Sequence, residues 1–443
     1  MAGEWTETTI GELLATKGGS VKTGPFGTAL KAKEYSTEGV PLISVGEVGY
    51  GTLRVHAKTP RAPTEVVKRL PEYVLEAGDI VFGRKGAVDR SALVKPDQAG
   101  WFLGSDGIRL RLPNTCDARF VAYHLQSSEA RSWLIQHATG TTMASLNQAI
   151  IERMPLFLPS IGEQRAIAHI LGTLDDKIEL NRRMNETLEA MARALFKSWF
   201  VDFDPVRAKA AGGCVGLPDD MSDLFSGEFV ESDRGEIPKG WRIASLLDQA
   251  TLLSGGTPKT ERSQYWDGNI KWASAKDVSQ CKEAFLIETE RTITENGLNN
   301  SATQLIPRFA SVVVARGATT GRMVLFGREM AMNQTCYALW SDIGAPFALY
   351  CQLSEEVREL VHAAHGSVFD TITTSTFKNA RSVLAPEPVI ARFEQIVSPW
   401  FGRILANCEQ SKTLAALRDT LLPKLISGEL RVKAAEKIVE AVA

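Results

Sequence analysis

Two long stretches of the chain carry apolar residues in alternating steps of three and four. The first lies between Gly162 and Phe203, and the second begins at Phe393 near the C-terminus. This spacing is typical of a coiled-coil seam, in which one side of a helix faces a partner helix. The pattern therefore predicts two long helices, and a continuous helix over residues 162–200 would be about 58 Å long.

The two apolar stretches align with each other at a constant offset of 226 positions. Each has an asparagine in the same slot, Asn181 in the first and Asn407 in the second. A buried asparagine costs stability but fixes the register when it meets another polar group. We therefore expect the helices to pair as an antiparallel coiled coil with pseudo-two-fold symmetry, whereas two unrelated amphipathic helices would leave the shared slot a coincidence. The other aligned seam residues are Leu174, Ile178, Leu188, Leu195, Trp400, Ile404, Leu414 and Leu421.

The regions that precede the two helices also correspond. An apolar run that ends in an arginine recurs, which pairs Arg84 with Arg316 and Arg90 with Arg322 at an offset of 232. Both regions contain short β-branched runs broken by Gly and Pro, and such runs predict short strands. We therefore predict an α+β fold in which two β-rich mixed globules alternate with the two long helices.

This layout predicts six segments along the chain. They are a first globule at residues 1–159, a first spacer helix at 160–204, a linker at 205–232, a second globule at 233–386, a second spacer helix at 387–430 and a tail at 431–443.

The charge of the chain suggests a role for loops in the globules. The 50 Lys and Arg residues nearly balance the 52 Asp and Glu residues, which excludes a chain coated in positive charge but allows a local basic face. Basic loops beside glycines and hydroxyl side chains can approach a phosphate or a base edge closely. A solvated surface would explain any one such loop, but recurrence in both repeats favours DNA binding. The candidate DNA-binding residues are Lys31, Lys33, Arg84, Lys85, Arg90, Lys259, Lys271, Lys276, Arg316, Thr319, Thr320 and Arg322.

Catalytic and metal-binding motifs are missing from the sequence. It has no phosphate-binding loop, dinucleotide fingerprint, nucleophile elbow or zinc-protease motif. The pair His362 and His365 has no third ligand nearby, so an ordinary helix end explains it better. Asp202 and Asp204, followed by Pro205, are interpreted as a helix stop. We therefore predict no catalytic residue and no metal site.

The arrangement of the cysteines and the hydropathy pattern indicate the compartment in which the protein is expected to act. The six cysteines are scattered without a C-x-x-C pair, as expected for reduced thiols in a cytosolic protein. No apolar run approaches the roughly 18 residues that cross a bilayer, and the N-terminus does not resemble a signal peptide. We therefore expect a cytoplasmic protein with no membrane partner.

Several stretches of the chain are distinctive in combination. They are residues 24–27, 39–41, 159–167, 174–181, 195–203, 235–241, 254–258, 265–268 and 421–430. Together they resemble the specificity subunits of type I restriction–modification enzymes, and the resemblance covers nearly the whole sequence. One departure is that the second helix begins with residues 389–392 where the first has residues 162–165, and only the arginine is shared. That departure puts identical helix-start contacts in doubt.

The resemblance implies a function without catalysis by this chain. Each globule would read one half of a split double-stranded DNA sequence, and the paired helices would set the distance between the halves. The helices would also dock two methyltransferase subunits, and restriction subunits that translocate and cleave DNA would join that core. The chain itself would bind no cofactor, because S-adenosylmethionine, ATP and Mg²⁺ are expected on the partner subunits.

Two other classes of function remain open at this point. A stand-alone DNA-binding scaffold or regulator would explain the repeat, but not the family-like stretches along the helices. An enzyme with a cryptic nuclease or transferase site is the other class. No Asn/Asp-Pro-Pro-aromatic motif is present, which argues against a methyltransferase.

Overall fold

The computed structural model of the protein describes residues 5–27, 29–140, 142–364 and 371–440. Contacts divide the chain into two compact units. Unit 1 comprises residues 1–177 and 414–443, and unit 2 comprises residues 178–413. Each unit contains one β-rich globule and a part of each long helix.

The globule of unit 1 is built from nine short strands and five helices among its described residues. The strands are β1 Thr6–Thr9, β2 Ser20–Thr23, β3 Val40–Ile43, β4 Arg61–Ala62, β5 Ile80–Gly83, β6 Ser91–Leu93, β7 Phe102–Leu103, β8 Gly107–Arg111 and β9 Pro155–Leu158. The helices are α1 Ile10–Lys17, α2 Thr64–Arg69, α3 Ala118–His124, α4 Ser128–His137 and α5 Gln148–Glu152. The long helix α6, Ile161–Phe196, follows β9 directly.

The globule of unit 2 follows α6 and repeats the same kinds of element. Its strands are β10 Phe229–Val230, β11 Ile237–Pro238, β12 Arg242–Ser245, β13 Ala250–Ser254, β14 Trp266–Ala273, β15 Phe285–Leu286, β16 Arg291–Ile293, β17 Ser311–Val314, β18 Met323–Phe326, β19 Ala331–Met332, β20 Cys336–Ser341 and β21 Arg381–Leu384. Its helices are α7 Asp204–Ala210, α8 Asp219–Ser222, α9 Ala275–Gln280, α10 Glu295–Asn299, α11 Pro346–Ala364 and α12 Thr374–Asn379. The second long helix is α13 Glu387–Ile426, and α14 Val432–Glu440 closes the described chain.

The two globules share one strand topology. The main sheet has the order β2-β8-β5-β6 in unit 1 and β13-β20-β17-β18 in unit 2, where β15 adds a further edge. A three-stranded sheet has the order β4-β3-β7 in one globule and β16-β14-β19 in the other, with one antiparallel and one parallel pairing in each. The pair β1–β9 likewise corresponds to β12–β21. The predicted repeat and the predicted α+β class are therefore confirmed.

The core of each globule lies at the middle of its main sheet. Residues 80–82 of β5 and 312–314 of β17 are fully buried. A strand that is covered on both faces needs apolar side chains at consecutive positions. This explains why these strands appear in the sequence as continuous apolar runs and not as an alternating pattern.

The two long helices pair in an antiparallel manner. In unit 2, the Asn181 side chain of α6 contacts Gln410 of α13, and Asn185 contacts Asn407. Partner numbers on α13 therefore fall as residue numbers on α6 rise. In unit 1, Asp175 of α6 contacts Arg418 of α13, in keeping with the same order.

The predicted seam residues differ in how deeply they are buried. Those that the structure buries are Leu174, Asn181, Ile404, Asn407, Leu414 and Leu421. Those that it leaves half-buried are Ile178, Leu188, Leu195 and Trp400.

The first long helix ends shortly before Asp202, where the sequence predicts a helix stop, but its last turn is not α-helical. Its α-helical part stops at Phe196, and a π-helical turn, Lys197–Val201, follows. Phe203 then adopts a left-handed backbone conformation with φ of 57°, and Pro205 lies in the first turn of α7. Proline lacks an amide hydrogen and fits the first helical turn, so it starts α7 and prevents α6 from continuing.

The segment predicted as a linker, residues 205–232, contains regular structure. It includes most of α7, all of α8 and β10, and its Val206 and Phe225 side chains are buried. Among the described residues, no helix combines the length and the apolar character needed to span a bilayer. The side chains of His362 and His365, the paired histidines considered above, lie outside the described residues.

Candidate nucleic-acid interface

The main-chain bonds of Arg84 bring three segments of unit 1 together at the end of β5. The Arg84 N–H donates to the Asp106 carbonyl at 2.9 Å, and the Leu146 N–H donates to the Arg84 carbonyl at 2.8 Å. The connection from β5 to β6, the connection from β7 to β8 and the segment before α5 therefore form one cluster. We call it loop cluster 1.

Unit 2 contains the corresponding cluster at the end of β17. The Ala315 N–H donates to the Thr335 carbonyl at 2.8 Å, and the Ile372 N–H donates to the Ala315 carbonyl at 2.9 Å. The same three kinds of segment meet, and we call the result loop cluster 2. Both clusters are scaffolded by buried central strands, which is the arrangement in which loops commonly carry function.

The backbone bonds correct one residue pairing inferred from the sequence. By hydrogen bonding, Arg84 corresponds to Ala315, so Arg316 corresponds to Lys85. The connection after β17 is one residue longer than the connection after β5, which shifts the pairing at its start. The predicted match of Arg90 with Arg322 holds, because each carbonyl accepts the N–H of the last residue of its strand, at 3.0 and 2.9 Å.

Contacts with a main-chain carbonyl and with aromatic rings of unit 1 hold the arginines of loop cluster 1. Arg84 is half-buried, donates from Nη1 to the Ser105 carbonyl at 3.1 Å and lies over the Phe26 ring at 5.6 Å. Arg90 is also half-buried and lies over the Tyr50 ring at 5.6 Å. The buried Nε atoms of both arginines have no hydrogen-bond partner among the described residues.

The lysines of unit 1 lie at the surface. Lys85 is exposed, and its ammonium group is 3.5 Å from the Asp106 carboxylate. Lys31 and Lys33 are exposed and belong to a single short turn. The structure therefore places Lys85 in the same cluster as Arg84 and Arg90, and places Lys31 and Lys33 on a different loop.

Loop cluster 2 presents its basic residues to solvent. Arg316, Thr319 and Arg322 are exposed, and within the described residues no hydrogen bond or ion pair holds the Arg316 guanidinium. The Thr320 hydroxyl donates to the Gly317 carbonyl at 2.7 Å, which closes the turn. Gly317 has a φ of 94°, in the left-handed region that glycine adopts without steric cost.

Acidic neighbours pair two of the other lysines predicted in unit 2. Lys276 lies 2.6 Å from Glu290, and Lys271 forms an ion pair with Glu288. Burial would raise the pKa of Glu288, but hydrogen bonds from Lys271 and Lys412 hold that pKa below its ordinary value. Lys259 is exposed, and its carbonyl accepts a bond from the Trp266 ring at 3.2 Å. The side chains of Lys271 and Lys276 are therefore engaged within the unit.

Two exposed aromatic residues accompany the arginines of unit 1, and the sequence argument did not select them. Phe26 is 63% exposed and Tyr50 is 50% exposed. The Tyr50 hydroxyl donates to Asp89 at 2.9 Å, and the Arg131 guanidinium lies over the Tyr50 ring at 4.2 Å. The signals for Phe26 in the sequence are its position between glycines in a turn and its place in the stretch 24–27, which resembles the specificity subunits. Neither residue shows the basic character used for selection.

The polar slot of the helix pair has local two-fold character within unit 2. Asn181 donates from Nδ2 to Gln410 at 2.9 Å and to Ser411 at 3.2 Å. Asn407 donates to Asn185 at 2.9 Å. Because Asn185 and Ser411 are themselves related by the offset of 226, the two sets of bonds correspond. The sequence identified Asn181 and Asn407, but it missed Asn185.

Comparison with known proteins agrees with this arrangement. The sequence profile of the type I restriction modification DNA specificity domain matches residues 3–190 and 238–381. A type I restriction enzyme HindI specificity subunit of Haemophilus influenzae is 28% identical over 70% of this chain and 74% of its own length. A type I restriction enzyme MjaIX specificity subunit of Methanocaldococcus jannaschii is 25% identical over 97% of this chain and 94% of its own.

A solved structure supports the fold. The crystal structure of a type I restriction–modification system S subunit from M. genitalium superimposes with a TM-score of 0.59, at 15% identity and over 96% of each chain. The matched profile covers most of both globules, with their loop clusters, and residues 161–190 of the first long helix. The chain therefore belongs to the family of type I restriction–modification DNA specificity subunits.

Proposed function

We propose that this chain recognises a bipartite DNA sequence, with one globule reading each half. The observation that carries the proposal is the repetition of loop clusters 1 and 2 on two globules of identical strand order. Two separate readers on one chain suit a DNA site in two parts. The paired helices, which run through both units, would then fix the spacing between the half-sites.

The chemistry of the loop clusters supports DNA as the ligand. Arginine and lysine side chains donate hydrogen bonds to phosphate oxygens or to the O6 and N7 acceptors of guanine, and exposed threonine hydroxyls can donate to either. Loop cluster 2 offers Arg316, Thr319 and Arg322 at the surface, and loop cluster 1 offers Lys85 beside the half-buried Arg84 and Arg90. Phe26 adds an exposed apolar surface that suits a thymine methyl group.

The outer faces of the long helices would dock two methyltransferase subunits, and restriction and translocase subunits would join them. The face of α6 away from the seam is rich in charge: Arg182 contacts Glu179 and Glu186 there. We further propose that the chain acts in the cytoplasm, catalyses no reaction and binds no cofactor. S-adenosylmethionine, ATP and Mg²⁺ would belong to the partner subunits.

The test is methylome sequencing of a host that expresses the chain together with the methyltransferase subunit of its own system. We expect methylation at one bipartite motif with a fixed spacer, and none when either protein is produced alone. A contiguous motif, or methylation without this chain, would contradict the proposal. Failure of the methyltransferase to copurify, combined with specific DNA binding by the chain, would favour a stand-alone scaffold.

A further inference from the structure

A buried tyrosine hydroxyl ties the globule of unit 1 to the long helices. Tyr123 of α3 is 4% exposed, and its hydroxyl donates to Asp175 of α6 at 2.6 Å. The other oxygen of Asp175 accepts from Arg418 of α13 at 2.7 Å. One carboxylate therefore connects the globule with both helices. We call Tyr123, Asp175 and Arg418 clamp 1.

A second arginine reinforces clamp 1 at the next residue of the helix. Arg119 donates to Asp176 at 2.8 Å and to the Gly172 carbonyl at 3.2 Å. A Cβ atom at Gly172 would come within 2.3 Å of the Arg119 guanidinium carbon. Glycine in a helix interior is less favourable than alanine. Its presence at this position is explained by the arginine that lies across the helix.

Unit 2 has a counterpart with a different construction. Tyr350 of α11 corresponds to Tyr123, is 2% exposed and donates to Glu189 of α6 at 3.0 Å. Arg193, one turn further along the same helix, donates to Glu189 at 2.6 Å. We call these three residues clamp 2. Clamp 2 joins the globule to one long helix, whereas clamp 1 joins it to both.

Burial keeps both tyrosines in the protonated form that donates. Desolvation raises the pKa of the Tyr123 phenol, and the nearby Asp175 carboxylate raises it further. Burial likewise raises the pKa of Tyr350, and Glu189 adds to the effect. Both tyrosine hydroxyls therefore remain hydrogen-bond donors to Asp175 and Glu189 across the neutral pH range.

The position of clamp 1 gives the globule a second point of attachment. The chain passes from β9 into α6 at Ile161, and Asp175 lies 14 residues further along the helix. At 1.5 Å per residue, the two points are about 21 Å apart. Clamp 1 and the neighbouring bonds of Arg119 hold the globule at this second point, and loss of the Tyr123 bond weakens that attachment.

Unit 2 has further attachments between its globule and the helices. The Glu394 carboxylate of α13 accepts the N–H groups of Phe347 and Ala348 at 3.3 and 2.8 Å, which caps α11. Asn185 of α6 donates to Glu283 of the globule at 3.0 Å.

Unit 1 has a comparable further attachment, because the Asp117 N–H donates to Gln164 of α6 at 3.0 Å. The two clamps differ in that clamp 1 ties its globule to both long helices, so its loss should free the globule more than loss of clamp 2.

We propose that Tyr123, and to a smaller extent Tyr350, are positioning residues that set how strictly the spacer length of the DNA site is enforced. This inference rests on the proposed bipartite recognition. Successive base pairs are about 3.4 Å apart and are turned by about one tenth of a revolution around the duplex axis. A globule that both pivots and shifts by a few ångströms can therefore follow a half-site displaced by one base pair. The loops that read the bases would move with the globule without changing shape. Spacer tolerance should therefore change while half-site preference does not.

The experiment uses the full chain produced with its methyltransferase subunits in a host. The wild-type methylome first gives the two half-sites and the natural spacer. A plasmid set then carries the same half-sites with spacers longer or shorter by one and two base pairs. The measured quantity is the ratio of methylation at the altered spacers to methylation at the natural one.

We expect Tyr123→Phe to raise this ratio by about tenfold at one base pair from the natural spacer, since a buried hydrogen bond to a charged group is lost. Tyr350→Phe should raise it less, and the double variant should exceed either. The half-site sequences and the methylation rate at the natural spacer should stay the same. Tyr73→Phe is the matched control, because Tyr73 is a half-buried tyrosine of the same globule that contacts Lys22 and Phe102.

Two results would overturn the inference while leaving the proposed function intact. One is a Tyr123→Phe ratio equal to that of the Tyr73→Phe control. The other is an equal loss of methylation at every spacer together with a lower melting temperature, which would mark the hydroxyl as merely structural. If the wild-type chain directs methylation to no bipartite motif at all, the proposed function fails and the inference fails with it.

Discussion

The two loop clusters share a backbone arrangement but hold their positive charge differently. In unit 1, Arg84 is fixed by the Ser105 carbonyl and Lys85 lies beside Asp106. In unit 2, Ala315 occupies the place of Arg84, and Arg316 extends into solvent from a glycine-containing turn. The comparison shows that the same backbone arrangement can carry basic side chains held by neighbouring groups, as in unit 1, or basic side chains that extend into solvent, as in unit 2. The proposed reading of two different half-sites by one fold would require that kind of variation.

The helix pair shows a second contrast between the units. The part in unit 1 is closed by apolar side chains such as Leu174 and Leu421. The part in unit 2 includes three buried asparagines, Asn181, Asn185 and Asn407. Apolar contacts supply stability without selecting a register, whereas a polar slot is satisfied in one register only.

The largest effect is expected from exchange of a whole globule. A chain whose residues 1–155 come from another member of the family should recognise a new first half-site and keep the second unchanged. The physical reason is that each main sheet and its loop cluster lie within one unit. Methylome sequencing of the hybrid checks this, and a change in both half-sites would refute independent reading.

One substitution in the helix pair of each unit tests the difference between the apolar contacts of unit 1 and the polar slot of unit 2. Leu421→Ala should lower the free energy of unfolding by about 2–5 kcal/mol, because a fully buried leucine leaves a cavity. Asn407→Leu should lower it by about 1–3 kcal/mol, because the Asn185 oxygen loses its donor. Urea unfolding followed by circular dichroism measures both. Exposed Leu180→Ala is the control, and a stabilised Asn407→Leu would show that the slot carries no net stability.

The difference between the loop clusters predicts that Arg316 contributes more to DNA binding than Lys85, the residue in the corresponding position. Arg316→Ala should weaken DNA binding by about 1–3 kcal/mol if the guanidinium reads a base edge. Lys85→Ala should weaken it less, since Asp106 already engages that ammonium group. Fluorescence anisotropy on the cognate duplex at several salt concentrations separates the cases. An equal loss on all sequences with a shallower salt slope would mean a phosphate contact, and no change would make Arg316 structural.

The smallest effect concerns His124, a buried histidine of unit 1. Burial lowers the pKa of His124 from 6.5, and the corresponding residue of unit 2 is Cys351. The unfolded chain therefore takes up a proton at His124 before the folded chain does. The contribution of this group to stability is thus fully present above its ordinary pKa of 6.5 and is lost as the pH falls below that value. The slope is at most about 1.4 kcal/mol for each pH unit.

A His124→Gln variant tests this dependence, because glutamine cannot titrate. Melting temperatures measured between pH 5 and 8 should fall less steeply for the variant than for the wild-type chain. A Cys351→Ser variant, which alters the equivalent place in unit 2, should keep the wild-type slope. Identical slopes for His124→Gln and the wild-type chain would mean that other groups control the acid sensitivity.

The candidate interface was only partly predictable from the sequence. Basic residues beside glycines identified the loops after β5 and β17, and the structure brings Lys85 together with Arg84, and Arg316 together with Arg322. It also shows Lys271 and Lys276 in ion pairs with acids that lie 17 and 14 positions away. A charged residue and its partner need not be neighbours along the chain. Sequence composition therefore cannot tell a free cation from a paired one.

The sequence by itself determined the two long helices, their repeat and the slot that fixes their register. These features follow from local geometry, since residues three and four apart share one face of a helix and residues of a buried strand must all be apolar. Only the tertiary structure decided the partners of Asn181, the clamp at Tyr123 and the structural correspondence of Arg316 with Lys85. The contacts of Asn181 and Tyr123 join residues tens to hundreds of positions apart. The correspondence of Arg316 with Lys85 depends on a loop that is one residue longer in unit 2. No spacing rule within a short window can supply such information, because it arises when the globules and helices pack.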